Sequence, residues 1–332
     1  MGYGGSMNAP RTDGAPFDLS GSEPFFVVMN AGSGRADAGP LREQIESRLQ
    51  AAGRRCEIDL VTDPRKLAQA AARAVERAQQ AGGVVVAAGG DGTLNAVAHA
   101  VLGTGLPFGI LSQGTFNYFG RSHSIPADNE RALGILLDGR VQPVQVGLVN
   151  GRAFLVNASL GLYPILLEDR EAFKQRYGRS RLVALASALV TLLRSPRQLS
   201  LRLDGPGGET AMRTCTLVVG NNALQLEQLG IDLADDLKQG RLVAMSPRPV
   251  GTLALYGLVL RGALARLGEA DNVVSFPFRR VTVQRLAPAS PRGIKVAIDG
   301  EILRLRPPIE FRVAGHHLPL LVPRHPDPAD RA

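Results

Sequence analysis

A glycine-rich loop with one carboxylate follows an apolar run in the first third of the chain. The run Val84–Ala88 leads directly into Gly89–Thr93 (Gly-Gly-Asp-Gly-Thr), where a helical pattern begins. Glycines let the backbone turn sharply and approach a ligand closely, and a helix N terminus supplies N–H donors and partial positive charge. This combination favours a phosphate. Asp91 adds a carboxylate suited to a phosphate-bound metal, and Thr93 and Asn95 can donate from the first helical turn.

The loop differs from two common phosphate-binding motifs. No Lys follows a Gly anywhere in the chain, so there is no Walker loop, and the glycine spacing excludes the Gly-x-Gly-x-x-Gly dinucleotide motif. The alternative without a ligand is a glycine-rich turn that closes a Rossmann-like unit. We favour a ligand site, because an aspartate among glycines at the carboxyl edge of an α/β sheet lies where such proteins bind ligands.

Two further loops combine glycines with short polar side chains. Asn30–Gly34 (Asn-Ala-Gly-Ser-Gly) follows the run Phe25–Met29, and Ser112–Asn117 (Ser-Gln-Gly-Thr-Phe-Asn) follows Gly109–Leu111. Each loop alone is a weak signal that is more often an ordinary turn. Because the carboxyl ends of parallel strands meet at one edge of a sheet, the three loops together predict a single site.

The first half of the chain alternates strands with helices. Apolar runs predict strands at Phe25–Met29, Cys56–Val61, Val84–Ala88 and Gly109–Leu111, and a helical pattern follows each of them. Strands separated by helices of this length form a parallel sheet with helices on both faces. We therefore predict a Rossmann-like, three-layer α/β domain over residues 24–143.

The second half is rich in strands. An Asn150-Gly151 turn between Val144–Leu148 and Ala153–Ala158 predicts a hairpin. Further strands are predicted at Leu199–Leu203, Thr214–Val219, Arg241–Met245, Val273–Phe276, Arg280–Gln284, Lys295–Ile298, Glu301–Leu305 and Ile309–Val313. Two helical stretches, Leu182–Leu193 and Leu253–Leu267, interrupt them. A mainly antiparallel β-sandwich, or a flattened barrel, is predicted over residues 144–316.

The composition is that of a basic globular protein. The 332 residues are 45% hydrophobic and 20% charged, with a formal net charge of +8 that suits anionic partners, although a GC-rich coding sequence explains the arginines equally well. Two widely separated cysteines, Cys56 and Cys215, exclude a disulfide framework and favour a reducing cytoplasm. Residues 1–23 contain no apolar segment and are predicted to be a disordered leader, with 324–332 as a tail.

The three loops, in this order and spacing, resemble the catalytic domain of the diacylglycerol kinase and sphingosine kinase superfamily, in particular its soluble bacterial lipid kinases. The resemblance extends through Asn157–Gly161 (Asn-Ala-Ser-Leu-Gly) to Asp299-Gly300-Glu301, and so covers almost the whole chain after the leader. It implies an α/β nucleotide-binding domain of the NAD kinase/diacylglycerol kinase type, a β-rich lipid-substrate domain, and a catalytic cleft between them. Leu318–Val322 would return to the first domain as its last strand.

The resemblance implies a lipid kinase that uses ATP and Mg²⁺. Asp91 would organise Mg²⁺ and phosphates, and Glu301 would be the general base that takes the proton from the lipid hydroxyl. Local sequence alone favours a simple hairpin turn at Asp299–Glu301. The implied nucleotide contacts are Asn30, Ser33, Gly34, Thr62, Gly89, Gly90, Asp91, Gly92, Thr93, Leu94, Asn95, Gly114, Thr115 and Asn117.

Three positions depart from the family pattern. Ala31 stands where Pro is usual, Ala96 where Glu is frequent, and Tyr118 where Asp is usual. The missing Asp at Tyr118 weakens the expectation that the metal and substrate chemistry is identical. Asp235 and Asp236, close to Asp232, occupy a region comparable to a structural Mg²⁺ site of the bacterial enzymes. A solvated acidic loop is the favoured interpretation of these residues, and a second metal site at Asp235 and Asp236 is the alternative that the resemblance implies.

Basic residues flank the two apolar helical stretches, a pattern that suits an anionic bilayer surface. A core helix with solvated ends explains the pattern equally well. We expect a cytoplasmic protein that contacts the inner membrane face peripherally and meets its lipid substrate there. A homodimer is compatible with the sequence. Nucleic-acid binding is not expected, because no basic motif with interleaved aromatic residues is present.

Two other functions stay open at this point. One is an NAD-kinase-like or other small-molecule kinase, against which the late Asp-Gly-Glu motif and the lack of Glu after Asn95 both argue. The other is a catalytically inactive, nucleotide-binding regulatory protein, which the replacement of Asp by Tyr118 suggests.

Overall fold

The structure, a computed structural model, describes residues 17–31, 38–114, 117–162, 164, 198–205, 208–249, 272–285 and 293–331. The described residues up to Gln145, together with those from Gly315 onward, form one compact unit, and those from Val146 to Ala314 form a second. The two apolar stretches Leu182–Leu193 and Leu253–Leu267 lie outside the described residues. Within the described ranges, no helix is long and apolar enough to cross a bilayer.

The first unit is an α/β domain around a seven-stranded sheet. Its strands are β1 (Phe17–Asp18), β2 (Phe25–Asn30), β3 (Cys56–Val61), β4 (Val84–Gly89), β5 (Phe108–Ser112), β6 (Arg140–Val144) and β19 (Leu318–Val322), in the order β1-β6-β19-β5-β4-β2-β3. The five strands from β19 to β3 are mutually parallel, whereas β6 is antiparallel to β19 and β1 is antiparallel to β6. The predicted fold class of this half is confirmed.

Helices cover both faces of this sheet. They are α1 (Ala38–Ala51), α2 (Leu67–Ala81), α3 (Asp91–Val101), α4 (Tyr118–Ser122) and α5 (Asn129–Asp138). α2 packs against α3, and α1 packs against α5. β4 is buried along its whole length, as a central strand covered on both faces must be. A short 3-10 turn at Pro64–Lys66, capped by Asp63, precedes α2. Gly82, in the left-handed conformation, ends α2.

The second unit is an antiparallel β-sandwich. One sheet has the order β11-β10-β15-β18-β7-β8 and the other the order β14-β13-β12-β9-β16-β17. The strands are β7 (Gly147–Val149), β8 (Arg152–Phe154), β9 (Asn157–Gly161), β10 (Leu199–Gly205), β11 (Gly208–Thr214), β12 (Thr216–Gly220), β13 (Leu242–Pro247), β14 (Val273–Phe278), β15 (Arg280–Arg285), β16 (Ile294–Ile298), β17 (Glu301–Leu305) and β18 (Ile309–Val313). One apolar core takes side chains from both sheets, including Leu201 and Phe311 from the first and Leu242 and Val296 from the second. The predicted sandwich is confirmed.

Two predicted strand boundaries are wrong because the chain changes sheets there. Val144 ends β6 and pairs with Leu318 in the first unit, whereas Gly147 begins β7 and pairs with Val313 in the second. The predicted strand Val144–Leu148 is therefore divided. The predicted strand Ala153–Ala158 is likewise divided between β8 and β9.

The predicted strand Thr214–Val219 is also wrong at its start. Thr214 closes β11, and β12 begins at Thr216. The Thr214 hydroxyl lies within hydrogen-bond distance of two carbonyl oxygens, that of Thr216 at 2.8 Å and that of Pro247 at 2.9 Å, and can donate its one proton to either of them where the chain bends at Cys215. Because one of these oxygens lies more than thirty residues away, the break leaves no local signal in the sequence.

The predicted leader and tail both contain ordered segments. Phe17 and Asp18 pair with Val141 and Arg140 in the sheet of the first unit. Near the end of the chain, a 3-10 turn at Pro328–Arg331 contacts α4. The prediction of a disordered leader is therefore corrected for Phe17 and Asp18, which pair with β6, and the described part of the tail makes contacts within the first unit.

Candidate active site

The carboxyl ends of β2, β4 and β5 meet at one edge of the parallel sheet. Met29 is in register with Ala88, and Gly89 with Ser112. The backbone N–H of Gln113 donates to the Gly89 carbonyl at 2.8 Å, so the second and third predicted loops leave the sheet side by side. The structure thus brings the described parts of the three loops together. Ser33, Gly34 and Thr115 lie outside the described residues.

The first and second loops are joined through Thr93. The Asn30 side-chain amide donates to the Thr93 hydroxyl at 3.1 Å, and Thr93 is only 2% exposed. A Cβ on Gly89 would lie 2.6 Å from the same hydroxyl, so Thr93 can pack here only against a glycine. The sequence assigned Thr93 to the ligand, whereas the structure gives its hydroxyl a role in holding the loops together.

Asp91 opens α3 and faces the third loop. Gly90 is the N-cap residue, and Asp91 is the acidic residue of the first helical turn. Its Oδ2 lies 3.7 Å from the position of a Cβ on Gly114, and Asn117 Oδ1 lies 2.9 Å from that same position. Two oxygen acceptors therefore approach one point above Gly114, beside a helix N terminus that attracts anions.

Two buried polar side-chain atoms of the third loop have no hydrogen-bond partner among the described residues. Asn117 is 6% exposed and has a left-handed backbone with φ 46°, a conformation that Asn tolerates better than most residues. Within the described part of the chain, Asn117 Oδ1 and Ser112 Oγ are both buried without a hydrogen-bond partner. Because an unpaired buried polar atom is costly, such atoms at the mouth of a site favour a bound polar ligand.

The other predicted contacts occupy different environments. Thr62 is exposed just after β3, at the same sheet edge, and Gly90, Gly92 and Asn95 are partly exposed. Leu94 is fully buried, so only its backbone can face a ligand.

A second loop with carboxylates lies in the other unit, at the turn between β16 and β17. Asp299 and Gly300 have φ values of 45° and 91°, and Ile298 pairs with Glu301 across them, as in a type I′ hairpin turn. The Glu301 side chain is exposed. Asp299 Oδ2 accepts from Leu155 N at 2.7 Å, and its Oδ1 accepts from Val156 N at 2.9 Å and Asn157 N at 3.0 Å. Asp299 therefore fixes the chain where β8 gives way to β9, a structural role for which its sequence neighbourhood gives no signal.

Asp299→Asn should lower the free energy of unfolding by about 2 to 4 kcal/mol, because the amide replaces a carboxylate that accepts three backbone N–H groups. Urea denaturation of both proteins measures the difference. Asp204→Asn, which alters an exposed carboxylate on β10, is the control and should change stability by less than about 0.5 kcal/mol. Equal stability of the Asp299 and Asp204 variants would show that these three contacts contribute little.

Both carboxylates of the predicted second metal site form ion pairs with basic side chains. Lys238 Nζ lies 2.6 Å from Asp235 Oδ1, and Arg241 lies 2.7 Å from Asp236 Oδ1. The hydrogen bond and the charge of Lys238 lower the pKa of Asp235. Among the described residues, no group of three or more His, Cys, Asp or Glu side chains could hold a metal. The assignment of Asp235 and Asp236 to a metal stays a prediction without structural support.

The sequence of the first unit matches that of a known catalytic domain. The diacylglycerol kinase catalytic domain family matches residues 24–149. A protein of Pseudomonas aeruginosa (strain UCBPP-PA14) named "Probable lipid kinase YegS-like" is 30% identical over 71% of this chain and 76% of its own length. A diacylglycerol kinase of Mycobacterium tuberculosis (strain CDC 1551 / Oshkosh) is 30% identical over 73% of this chain and 77% of its own length.

Shorter alignments and solved structures agree with these matches. The YegS-like relative of Cronobacter sakazakii is 33% identical, but that match spans 48% of this chain and only 54% of the relative. The crystal structure of a diacylglycerol kinase from Bacillus anthracis str. Sterne covers 92% of this chain and 98% of its own, with a TM-score of 0.65 at 17% identity, which shows a shared fold. The chain belongs to the diacylglycerol kinase catalytic-domain superfamily and is a member of its lipid kinase family.

Proposed function

We propose that this lipid kinase transfers the γ-phosphate of Mg-ATP to the hydroxyl group of a diacylglycerol-like lipid. The observation that carries the proposal is the convergence of Asn30, Asp91 and Asn117 on one sheet edge, beside the N terminus of α3. The loops offer backbone amides, one carboxylate and unpaired buried oxygens, which together suit a metal-bound triphosphate. The name of the mycobacterial relative supports diacylglycerol as the acceptor class.

The donor set at this edge fits Mg²⁺. Mg²⁺ prefers oxygen ligands and is usually held by one or two carboxylates together with substrate phosphates and water, rather than by a cage of protein ligands. Asp91 supplies one such carboxylate, and the lack of a larger acidic cluster among the described residues agrees with this mode. When bound, Mg²⁺ would neutralise charge on the phosphates.

The residues of the chain have separable tasks in the proposed reaction. The loop around Gly89–Thr93 and the third loop orient the triphosphate, and Glu301 accepts the proton of the lipid hydroxyl. The hydroxyl oxygen forms a bond to the γ-phosphorus while the bond from that phosphorus to the β–γ bridging oxygen breaks, and ADP leaves. The exposed position of Glu301 on a turn fixed by Asp299 supports its role as base.

A transfer assay tests the proposal directly. The protein is incubated with [γ-³²P]ATP and Mg²⁺ in separate reactions, each with one acceptor. The acceptors are diacylglycerol in mixed micelles, a bacterial lipid extract, NAD and sugars. We expect label in the diacylglycerol product, with a smaller amount or none in the other acceptors. Label in NAD or a sugar would contradict the proposal and favour a small-molecule kinase. Nucleotide binding without any labelled product would favour an inactive regulatory protein, the function that Tyr118 suggests.

A further inference from the structure

The last residues of the first unit run along α5 and reach α4. We call residues 324–331 the C-terminal strap. At its start, Arg324 Nε donates to the Asp138 carbonyl at the end of α5, at 2.8 Å. At its end, the Arg331 carbonyl accepts from Arg121 Nη2 on α4 at 3.2 Å. The strap therefore connects the far end of α5 with the helix that directly follows the third loop.

A bidentate ion pair anchors the strap next to its end. Arg131 on α5 donates from Nη1 and Nη2 to the two carboxylate oxygens of Asp330, each at 2.8 Å. Although the Arg131 side chain is 53% exposed, that of Asp330 is only 9% exposed. Most surface ion pairs contribute little to the stability of the folded protein, but a buried carboxylate in a bidentate pair with Arg is held more strongly and with fixed geometry.

Arg121 joins the strap to the third loop. Its backbone N–H donates to the Asn117 carbonyl at 2.9 Å, and its guanidinium lies 5.8 Å from the centre of the Tyr118 ring. Within the described residues, the hydrogen bond to Arg331 is the one bond made by this guanidinium, and its Nε is buried without a partner. The strap thus accepts the hydrogen bond of the Arg121 side chain, whose guanidinium also lies over the Tyr118 ring.

Further contacts link α4 to the strap and α5 to the third loop. The 3-10 turn at the end of the strap contacts α4. Next to this contact, burial and secondarily the charge of Arg331 lower the pKa of His123 to about 4. Gln113, in the third loop, donates to Asn129 Oδ1 at the start of α5 at 2.7 Å. Both helices bound by the strap are therefore also bound to the third loop.

We propose that Arg121 is a positioning residue for nucleotide, held by the C-terminal strap, and that the Asp330–Arg131 pair keeps Asn117 and Gly114 in their binding positions. This inference rests on the proposed function, because it assumes that the third loop contacts ATP. The strap does not touch the ligand in this scheme. It acts through α4 and the start of α5, which form a continuous network of contacts from Asp330 to Asn117.

The test measures Mg-ATP binding by calorimetry in Asp330→Asn and Arg121→Gln. We expect each variant to weaken Mg-ATP binding by about five- to tenfold, at the low end of the coupling that two linked sites usually show. Combining the two changes should add little further loss, because both break one connection. Arg42→Gln, which removes an exposed ion pair with Glu46 on α1, is the control and should bind as the unaltered protein does.

Two further measurements separate positioning from general loss of structure. Hydrogen exchange should become faster in peptides that cover residues 112–123 and stay unchanged in those that cover α1. The charge exchange Arg131→Asp with Asp330→Arg should recover most of the lost affinity. If Asp330→Asn instead accelerates exchange throughout the first unit, or the exchanged pair recovers nothing, the positioning role is wrong.

The outcomes also distinguish this inference from the proposed function. If the unaltered protein does not bind Mg-ATP, the proposed function fails and the inference fails with it. If the unaltered protein binds Mg-ATP and Asp330→Asn and Arg121→Gln bind it equally well, only the strap inference is overturned.

Discussion

Asp91→Asn is expected to slow phosphoryl transfer to lipid by about a hundredfold to a thousandfold, because the change removes the carboxylate proposed to hold Mg²⁺ beside the phosphates. Asp91 lies in the first turn of α3 and faces Gly114 and Asn117, so an amide of the same shape should leave the loops in place. Initial rates with [γ-³²P]ATP, measured over a range of Mg²⁺ concentrations, give the effect. The variant should also need a higher Mg²⁺ concentration than the unaltered protein to reach half of its own maximal rate.

Stability provides the check on this interpretation. Loss of a negative charge at a helix N terminus costs about 0.3 to 1 kcal/mol, far too little to unfold the first unit. Asp204→Asn, at an exposed position on β10, is the matched control and should keep the full rate. If Asp91→Asn retains half of the activity or more at limiting Mg²⁺, Asp91 is not the metal ligand.

Local patterns were sufficient to predict the α/β unit. The apolar run Val84–Ala88 predicts a strand covered on both faces, and β4 is buried in that way. The Asn150-Gly151 pair predicts a two-residue hairpin, and Val149 pairs with Arg152 across two residues of positive φ. Once parallel strands are predicted, their carboxyl ends must share an edge, and so the convergence of Asn30, Gly89 and Gly114 follows from topology.

Contacts between distant parts of the chain could not be predicted in the same way. Thr214, the last residue of β11, lies within hydrogen-bond distance of the Pro247 carbonyl, and Asp330 pairs with Arg131, almost two hundred residues earlier. No spacing rule connects such residues. Asp299 shows the same limit in the second unit: its turn is evident from Asp-Gly, but the three N–H groups that it binds belong to Leu155, Val156 and Asn157.

Glu301→Gln should reduce kcat by about a hundredfold to ten-thousandfold, the range lost when a positioned general base is removed. Gln has nearly the same shape but cannot accept the hydroxyl proton. Because Glu301 is exposed on a turn that Asp299 fixes, the change should leave the sandwich intact. The measurement is the rate of label transfer to diacylglycerol at saturating Mg-ATP. Glu209→Gln, at a 63% exposed carboxylate on β11, is the control and should keep the full rate.

Nucleotide affinity separates the role of Glu301 from that of Asp91. A base acts on the acceptor hydroxyl, so Glu301→Gln should bind Mg-ATP as tightly as the unaltered protein while its transfer rate falls. Asp91→Asn should lose both Mg-ATP affinity and transfer rate, because the Asp91 carboxylate is proposed to act on the triphosphate through the metal. A Glu301 variant that binds Mg-ATP normally and still transfers phosphate at the full rate would exclude it as the base. The proton would then leave the hydroxyl by another route, and the resemblance that assigned this residue would extend to the fold and the nucleotide loops only.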